Sequence, residues 1–235
     1  MVALNDILQL IFSQKIEFSE HQSVIYGQAR LNNQLTHILG VKESTFLGAE
    51  QALIMAEHII EILESQSKDP VLLLVDVAGQ ELSMRDEWLA MQQYFGHLLE
   101  CLECLRHQGN PLISLVYNQA LGGAFIAYGL MADTILALPD AALAVMWLEG
   151  ISKVTKIELE QLKELSKTFP VFAPGVQNFY QLGGLHEIVV PSELAEKISL
   201  AIQKKNISDD RALLGNTRGG RKLAFSIINQ VATHP

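Results

Sequence analysis

Two glycine-bearing turns carry the chemistry this sequence can do. One is the pair Gly122-Gly123, which follows an apolar run at 112–117 and opens a stretch of small residues that reads as a helix ending near Asp133. Glycine lets a backbone approach a ligand closely, and the first N–H groups of a helix have no partner inside it. Aimed at a thioester carbonyl, such donors stabilise the oxyanion that develops there. Alone, a glycine pair is only a tight strand-to-helix turn. A second, matching turn changes its meaning: VLLLVDVAGQ, residues 71–80, runs from an apolar strand through Asp76 into Ala78-Gly79-Gln80.

The elements around these turns must set them side by side. Unbroken Val and Leu runs suit strands buried on both faces and joined by helical crossovers. The order strand, turn, helix, strand, turn, helix puts both turns at one edge of one sheet, where an N–H from each can converge on one point. A long helix over 83–107 forms the first crossover. Ahead of it, residues 23–42 hold two β-rich runs around Asn32-Asn33, a hairpin signal. A helix over 49–65 carries Leu53, Ala56, Ile60 and Leu63 as its core-facing stripe.

Behind the second turn come a charged amphipathic helix at 157–168, breaks at Pro170 and Pro174-Gly175, and a short helix through Tyr180. Gly183-Gly184 leads to a strand at 186–190, and Pro191 begins a helix, as prolines prefer. Residues 209–233 read as two helical pieces hinged at Gly215 and Gly219-Gly220. Neither a repeat nor a linker interrupts the chain. The expectation is a single α/β domain, 1–235, with about 205–235 as a C-terminal helical extension.

Composition narrows the function classes. A chain of 235 residues, 49% hydrophobic and 18% charged, has enough apolar material for a sizeable core. A formal net charge of −9 with no basic stripe argues against a nucleic-acid partner. No apolar run reaches the roughly 18–20 residues needed to cross a bilayer, and the N-terminus lacks a secretion signal. Two cysteines give no disulfide framework. The sequence therefore reads as a soluble, reduced, cytoplasmic protein with no membrane partner.

Other constellations carry less. Cys101 and Cys104 form a CxxC, with His97 one turn earlier. On a helical wheel Trp88, Met91, Phe95, Leu99 and Leu102 make the apolar stripe, and His97 and Cys104 fall opposite it. Three residues on one helix do not complete a tetrahedral zinc site, so no metal is expected. A thiolate mid-helix also lacks the stabilisation of a helix N-terminus, which disfavours a redox role. Asn118, Gln119, Ala120 and Leu121 precede the glycine pair, so no serine nucleophile stands there. The helix after Gly122 holds no acid before Asp133, which excludes the carboxylate pair a hydratase needs.

Taken together, VDVAGQ, LGGAFIAYGLMADTILALPDAALAVM and LGGLHEIVVPSELAEKI resemble the crotonase superfamily in its acyl-CoA carboxyltransferase branch. GISKVTKI, FPVFAPGVQNFYQLGG and DDRALLGNTRGGRKLA more narrowly resemble the gamma subunits of biotin-independent malonate decarboxylases, over most of 70–225. The resemblance implies a crotonase-like ββα spiral. It also implies decarboxylation of a malonyl thioester carried on an acyl carrier protein, giving acetyl thioester and carbon dioxide through an enolate.

Gly79, Gln80, Gly122, Gly123 and Ala124 become the candidate backbone oxyanion donors. No cofactor is bound directly; the substrate rides a phosphopantetheine-type, dephospho-CoA-derived arm of the carrier. The implied partners are a beta subunit forming a heterodimer, the carrier protein, and an alpha subunit that acts as acyl carrier transferase. Arg85 and Asn118 are candidate substrate contacts. Arg218, Arg221 and Lys222 cluster around Gly219-Gly220 and suit a phosphate or an acidic carrier. A biotin-dependent carboxyltransferase subunit shares both turns, and a non-catalytic scaffold completing its partner's site is a third reading. Which subunit holds the thioester, and whether the turns grip it or the departing carboxylate, stays open.

Overall fold

In the computed structural model, residues 3–14, 16, 18–169, 173–204 and 209–233 are described. The expected break at Pro170 and the first residues of the expected extension, 205–208, lie outside them. Strands β1 (Phe18–His21), β2 (Val24–Leu31) and β3 (Gln34–Val41) form an antiparallel meander. Asn32 and Asn33, both with positive φ (49° and 67°), make the tight β2–β3 turn that their types favour.

From β3 onward the sheet is parallel. It runs through β5 (Val71–Gln80), β6 (Leu112–Leu121), β7 (Thr134–Ala137) and β9 (Glu187–Ile188). Residues 71–77 of β5 are all buried, as the unbroken apolar run requires of a strand covered on both faces. The last residues of β5 pair with β4 (Thr45–Leu47), and those of β6 with β8 (Ala142–Ala144).

A buried carboxylate marks where the central strands change partners. β5 and β6 pair in register to Val75 and Val116, then resume at Val77 and Ala120, so residues 117–119 bulge against Asp76. Asp76 is 3% exposed. Its Oδ1 accepts from Ser44 Oγ at 2.9 Å and from Asn118 Nδ2 at 2.8 Å. Burying a charge is unfavourable unless it is hydrogen-bonded, and these donors meet that need. Asn118 thereby also donates to Ser44 Oγ, at 3.1 Å.

The helices depart from the expected pattern in instructive ways. The single helix expected over 83–107 is two: α3 (Met84–Trp88) and α4 (Met91–Gln108), separated by Ala90 in the left-handed region. The buried face of α4 is Met91, Leu98, Cys101, Leu102 and Leu105, and Trp88 is 81% exposed. Helix α2 (Ala49–Glu64) buries Ala52, Met55, Ala56, Ile59 and Ile62, and Leu53 faces outward. The helix after the glycine pair, α5 (Gly122–Ala127), is short, and a 3-10 turn at Gly129–Met131 follows it.

Beyond β8 lie α6 (Leu148–Thr155), α7 (Leu159–Thr168), α8 (Val176–Gln181), α9 (Leu194–Gln203), α10 (Arg211–Thr217) and α11 (Lys222–Thr233). The N-terminal α1 (Leu4–Ile11) packs on α9. Gly215 is no hinge. It lies inside α10, where a Cβ would come 2.4 Å from Leu182 O, so glycine is needed there for close packing.

Candidate active site

Parallel pairing brings the ends of β5, β6 and β8 to one edge of the sheet. There the two glycine turns meet, as their positions in the sequence require. Gly122 has φ +57°, a conformation that glycine adopts freely and other residues rarely do. A Cβ on Gly122 would sit 2.8 Å from Gln80 Oε1 and 3.7 Å from Val145 O. The Gly123 N–H donates to Gln80 Oε1 at 3.0 Å.

Gln80, proposed from sequence as a backbone donor, thus also reaches across with its side chain. Its amide oxygen occupies the position facing the first N–H groups of α5. Gly79, with φ +123°, has open space around its Cα, and Ala124 is fully buried beneath the turn.

An apolar cavity of about 560 Å³ opens beside this edge, bounded by Val145, Met146, Ile151, Val154, Phe179 and Arg221. Apart from Arg221, these walls were not legible in the sequence. Its one usable signal was the apolar run AALAVMW, whose last three residues stay exposed after β8. Asp133 lies at the far end of β6, accepting from Leu112 N–H at 2.9 Å and from Arg106 Nε at 3.1 Å. It is remote from the glycine turns.

The remaining candidates divide. Arg85 is an exposed residue of α3 that pairs with Glu50 at 3.2 Å, at the start of α2. Asp86, beside it, accepts from Ala49 N–H at 2.8 Å and from Ser83 Oγ. The Ser83 hydroxyl, then the Ala49 N–H, hold its carboxyl below the ordinary value. That bond ties α3 to α2, and Arg85 lies on the segment that leaves β5 after Gln80.

Arg218 is turned inward. Its Nη1 donates to Tyr180 O at 2.9 Å and Leu185 O at 2.7 Å, and its Nη2 to His186 O at 2.9 Å. Arg221 donates Nε to Leu182 O at 2.8 Å and still lines the apolar cavity. Lys222 is exposed.

The CxxC divides as well. Cys101 is buried and Cys104 exposed. His97 is exposed, as the wheel has it, yet its Nε2 lies 3.7 Å from Cys101 Sγ. Burial pushes the Cys101 thiol up, which disfavours a nucleophilic thiolate. Replacing both cysteines by alanine is expected to lower stability by about 1–2 kcal/mol, the effect of a small core truncation. Loss of activity in a folded double variant would give the pair a chemical role.

A parallel sheet with two glycine turns at one edge is a fold that this chain shares with solved carboxyltransferases and decarboxylases. A crystal structure of a Pseudomonas malonate decarboxylase hetero-tetramer in complex with coenzyme A superposes with a TM-score of 0.85 at 19% identity, covering 98% of each chain. The transcarboxylase 12S core matches with a TM-score of 0.71 at 20% identity, over 88% of this chain and 44% of that one. In sequence, the chain is 34% identical over 203 residues to the malonyl-S-ACP:biotin-protein carboxyltransferase MADD of Malonomonas rubra, covering 77% of this chain and 70% of that protein. The family model of the malonate decarboxylase gamma subunit, MdcE, matches residues 42–234. The chain belongs to the malonate decarboxylase gamma-subunit family.

Proposed function

We propose that this chain, with a beta subunit, decarboxylates malonyl-S-acyl carrier protein to acetyl-S-acyl carrier protein and carbon dioxide. The observation that carries the reading is the meeting of the two glycine turns, with the Gly123 N–H already paired to an oxygen. The C–C bond to the leaving carboxylate breaks, its electron pair moves into the thioester carbonyl, and an enolate forms. Backbone N–H groups near Gly79, Gln80, Gly122, Gly123 and Ala124 receive the charge on its oxygen when Gln80 swings aside. Protonation at carbon then gives the acetyl thioester.

The apolar cavity beside the edge has the chemistry to take the pantetheine part of a carrier arm, with Arg221 toward its anionic end. Leu82, Met84 and Trp88 after β5, and Val145, Met146 and Trp147 after β8, are exposed apolar residues on the chains leaving this edge. Such a surface suits a subunit interface, and the beta subunit is its proposed occupant. The related Pseudomonas structures, described as hetero-dimer and hetero-tetramer, agree with a partnered chain. Lys222 remains the proposed contact for the acidic carrier.

The similarity to a malonyl-S-ACP:biotin-protein carboxyltransferase favours one second reading, transfer of the carboxyl group to a biotin protein. Co-expression with the candidate beta subunit, followed by a carbon dioxide release assay on malonyl-carrier with and without avidin, separates the two. Release that needs this chain and ignores avidin is the expected result. Avidin-sensitive release selects the carboxyltransferase, and release by the beta subunit alone leaves this chain a scaffold.

A further inference from the structure

At the opposite end of β6, away from the glycine turns, a cavity of about 690 Å³ lies between the end of α4 and the end of α9. Its charged lining is Lys68, Arg106 and Lys204 with the carboxylates of Glu103 and Asp133, and His107 and Asn110 add polar atoms. Asn110 is 2% exposed. Its Nδ2 donates to Ser67 O and Asp69 O, both at 2.9 Å. Both partners are carbonyl oxygens and can only accept, so the amide orientation is fixed by chemistry. That leaves Asn110 Oδ1 buried at this site without a hydrogen-bond partner. A buried acceptor left unpaired is unfavourable, and it calls for an O–H or N–H donor.

The surrounding charges call for an anion. Arg106 is matched by Asp133 and Glu103, and His107 by Glu103. Lys68 and Lys204 are exposed and make no ion pair among the described residues. In a chain of net charge −9, two unmatched lysines at one cavity are a local reversal of sign. Apolar atoms of Leu112, Ala201 and Ile202 complete the walls, and the volume admits a ligand of sugar or nucleotide size.

We propose that this cavity binds a hydroxylated organic phosphate. Lys68 and Lys204 hold the phosphate, and a ligand hydroxyl donates to Asn110 Oδ1. The site is separate from the thioester chemistry at the other edge of the sheet and does not rest on it.

Ribose 5-phosphate, inorganic phosphate and ribose are the probes, titrated calorimetrically into the full chain at low ionic strength. Ribose 5-phosphate is expected to bind at least about tenfold tighter than inorganic phosphate, because only it brings a hydroxyl to the buried acceptor. Lys68→Glu combined with Lys204→Glu should weaken ribose 5-phosphate by at least about tenfold, since charge reversal replaces attraction by repulsion. Both lysines are exposed, so the double variant tests binding without disturbing the core. Equal affinity for the two phosphates removes Asn110 from the site. Absence of binding, or binding unaffected by the double variant, overturns the proposal.

Discussion

Gly122→Val is expected to lower carbon dioxide release by at least about 10²-fold, the effect of losing one oxyanion donor, in a complex that still assembles. Two separate constraints act at this residue. The backbone φ of +57° disfavours any β-branched side chain, and a Cβ would come 2.8 Å from Gln80 Oε1. The second constraint yields more easily, because Gln80 Oε1 is the far end of a flexible side chain. Gly122→Ala should therefore be milder, and adding Gln80→Ala should recover part of its activity by removing the clash while the backbone strain stays. Gly123→Val is expected to do less than Gly122→Val, since a Cβ at Gly123 meets the same oxygen at 3.4 Å. Size-exclusion chromatography establishes assembly, and release from malonyl-carrier measures the chemistry. Wild-type turnover in an assembled Gly122→Val complex would take this turn out of the mechanism.

The parts of this site that were legible in the sequence are those fixed by backbone geometry. An uninterrupted apolar strand followed by glycine specifies both a doubly buried strand and the turn at its end, so the meeting of Gly79-Gln80 with Gly122-Gly123 could be read from residue types alone. The Asn32-Asn33 turn was legible for the same reason. Side-chain partners chosen by tertiary packing were not. Nothing local tells Asn118 to face Asp76, because the two meet only through the bulge between β5 and β6.

Helix faces were legible only to within about one residue. Residues 52–63 include Leu53, Ile54, Met55, Ala56, Ile59, Ile60, Ile62 and Leu63, so apolar side chains cover more than one face and the stripe is ambiguous. The break at Leu89-Ala90 had no glycine or proline to announce it. It follows from Asp86 binding the first N–H of α2, which fixes the direction of α3 independently of α4. The acceptors of Arg218 and Arg221 were not legible, because they are carbonyls of residues 180–186 that no sequence pattern displays.

Those contacts lead to the second large effect. Arg218→Ala is expected to destabilise the protein by about 2–4 kcal/mol, because hydrogen bonds from a charged donor contribute about 1.5–3 kcal/mol each and are not additive. The guanidinium bridges Tyr180 O, Leu185 O and His186 O and lies 3.7 Å over the Tyr180 ring, so it fastens the turn between α10 and α11 to the loop leading into β9. His186, whose carbonyl it holds, accepts the Ile135 N–H at Nδ1 and faces Asp210 through Nε2, joining the same segment to β7. Truncation would take this donor from three inward-facing carbonyls, of which Tyr180 O keeps the Gly183 N–H. Arg218→Lys should recover little, because an ammonium cannot reproduce the planar fork that spans three acceptors and stacks on an aromatic face. Urea unfolding of the purified complex gives the stability change, and the KM for malonyl-carrier should stay within about twofold of wild type where the variant is folded, since additive surface effects of this kind are small. Lys222→Glu, at an exposed position, is the variant expected to raise that KM, with an effect that shrinks as salt screens the charge. An Arg218→Ala protein with an unchanged unfolding midpoint and a raised carrier KM would return this arginine to the docking surface.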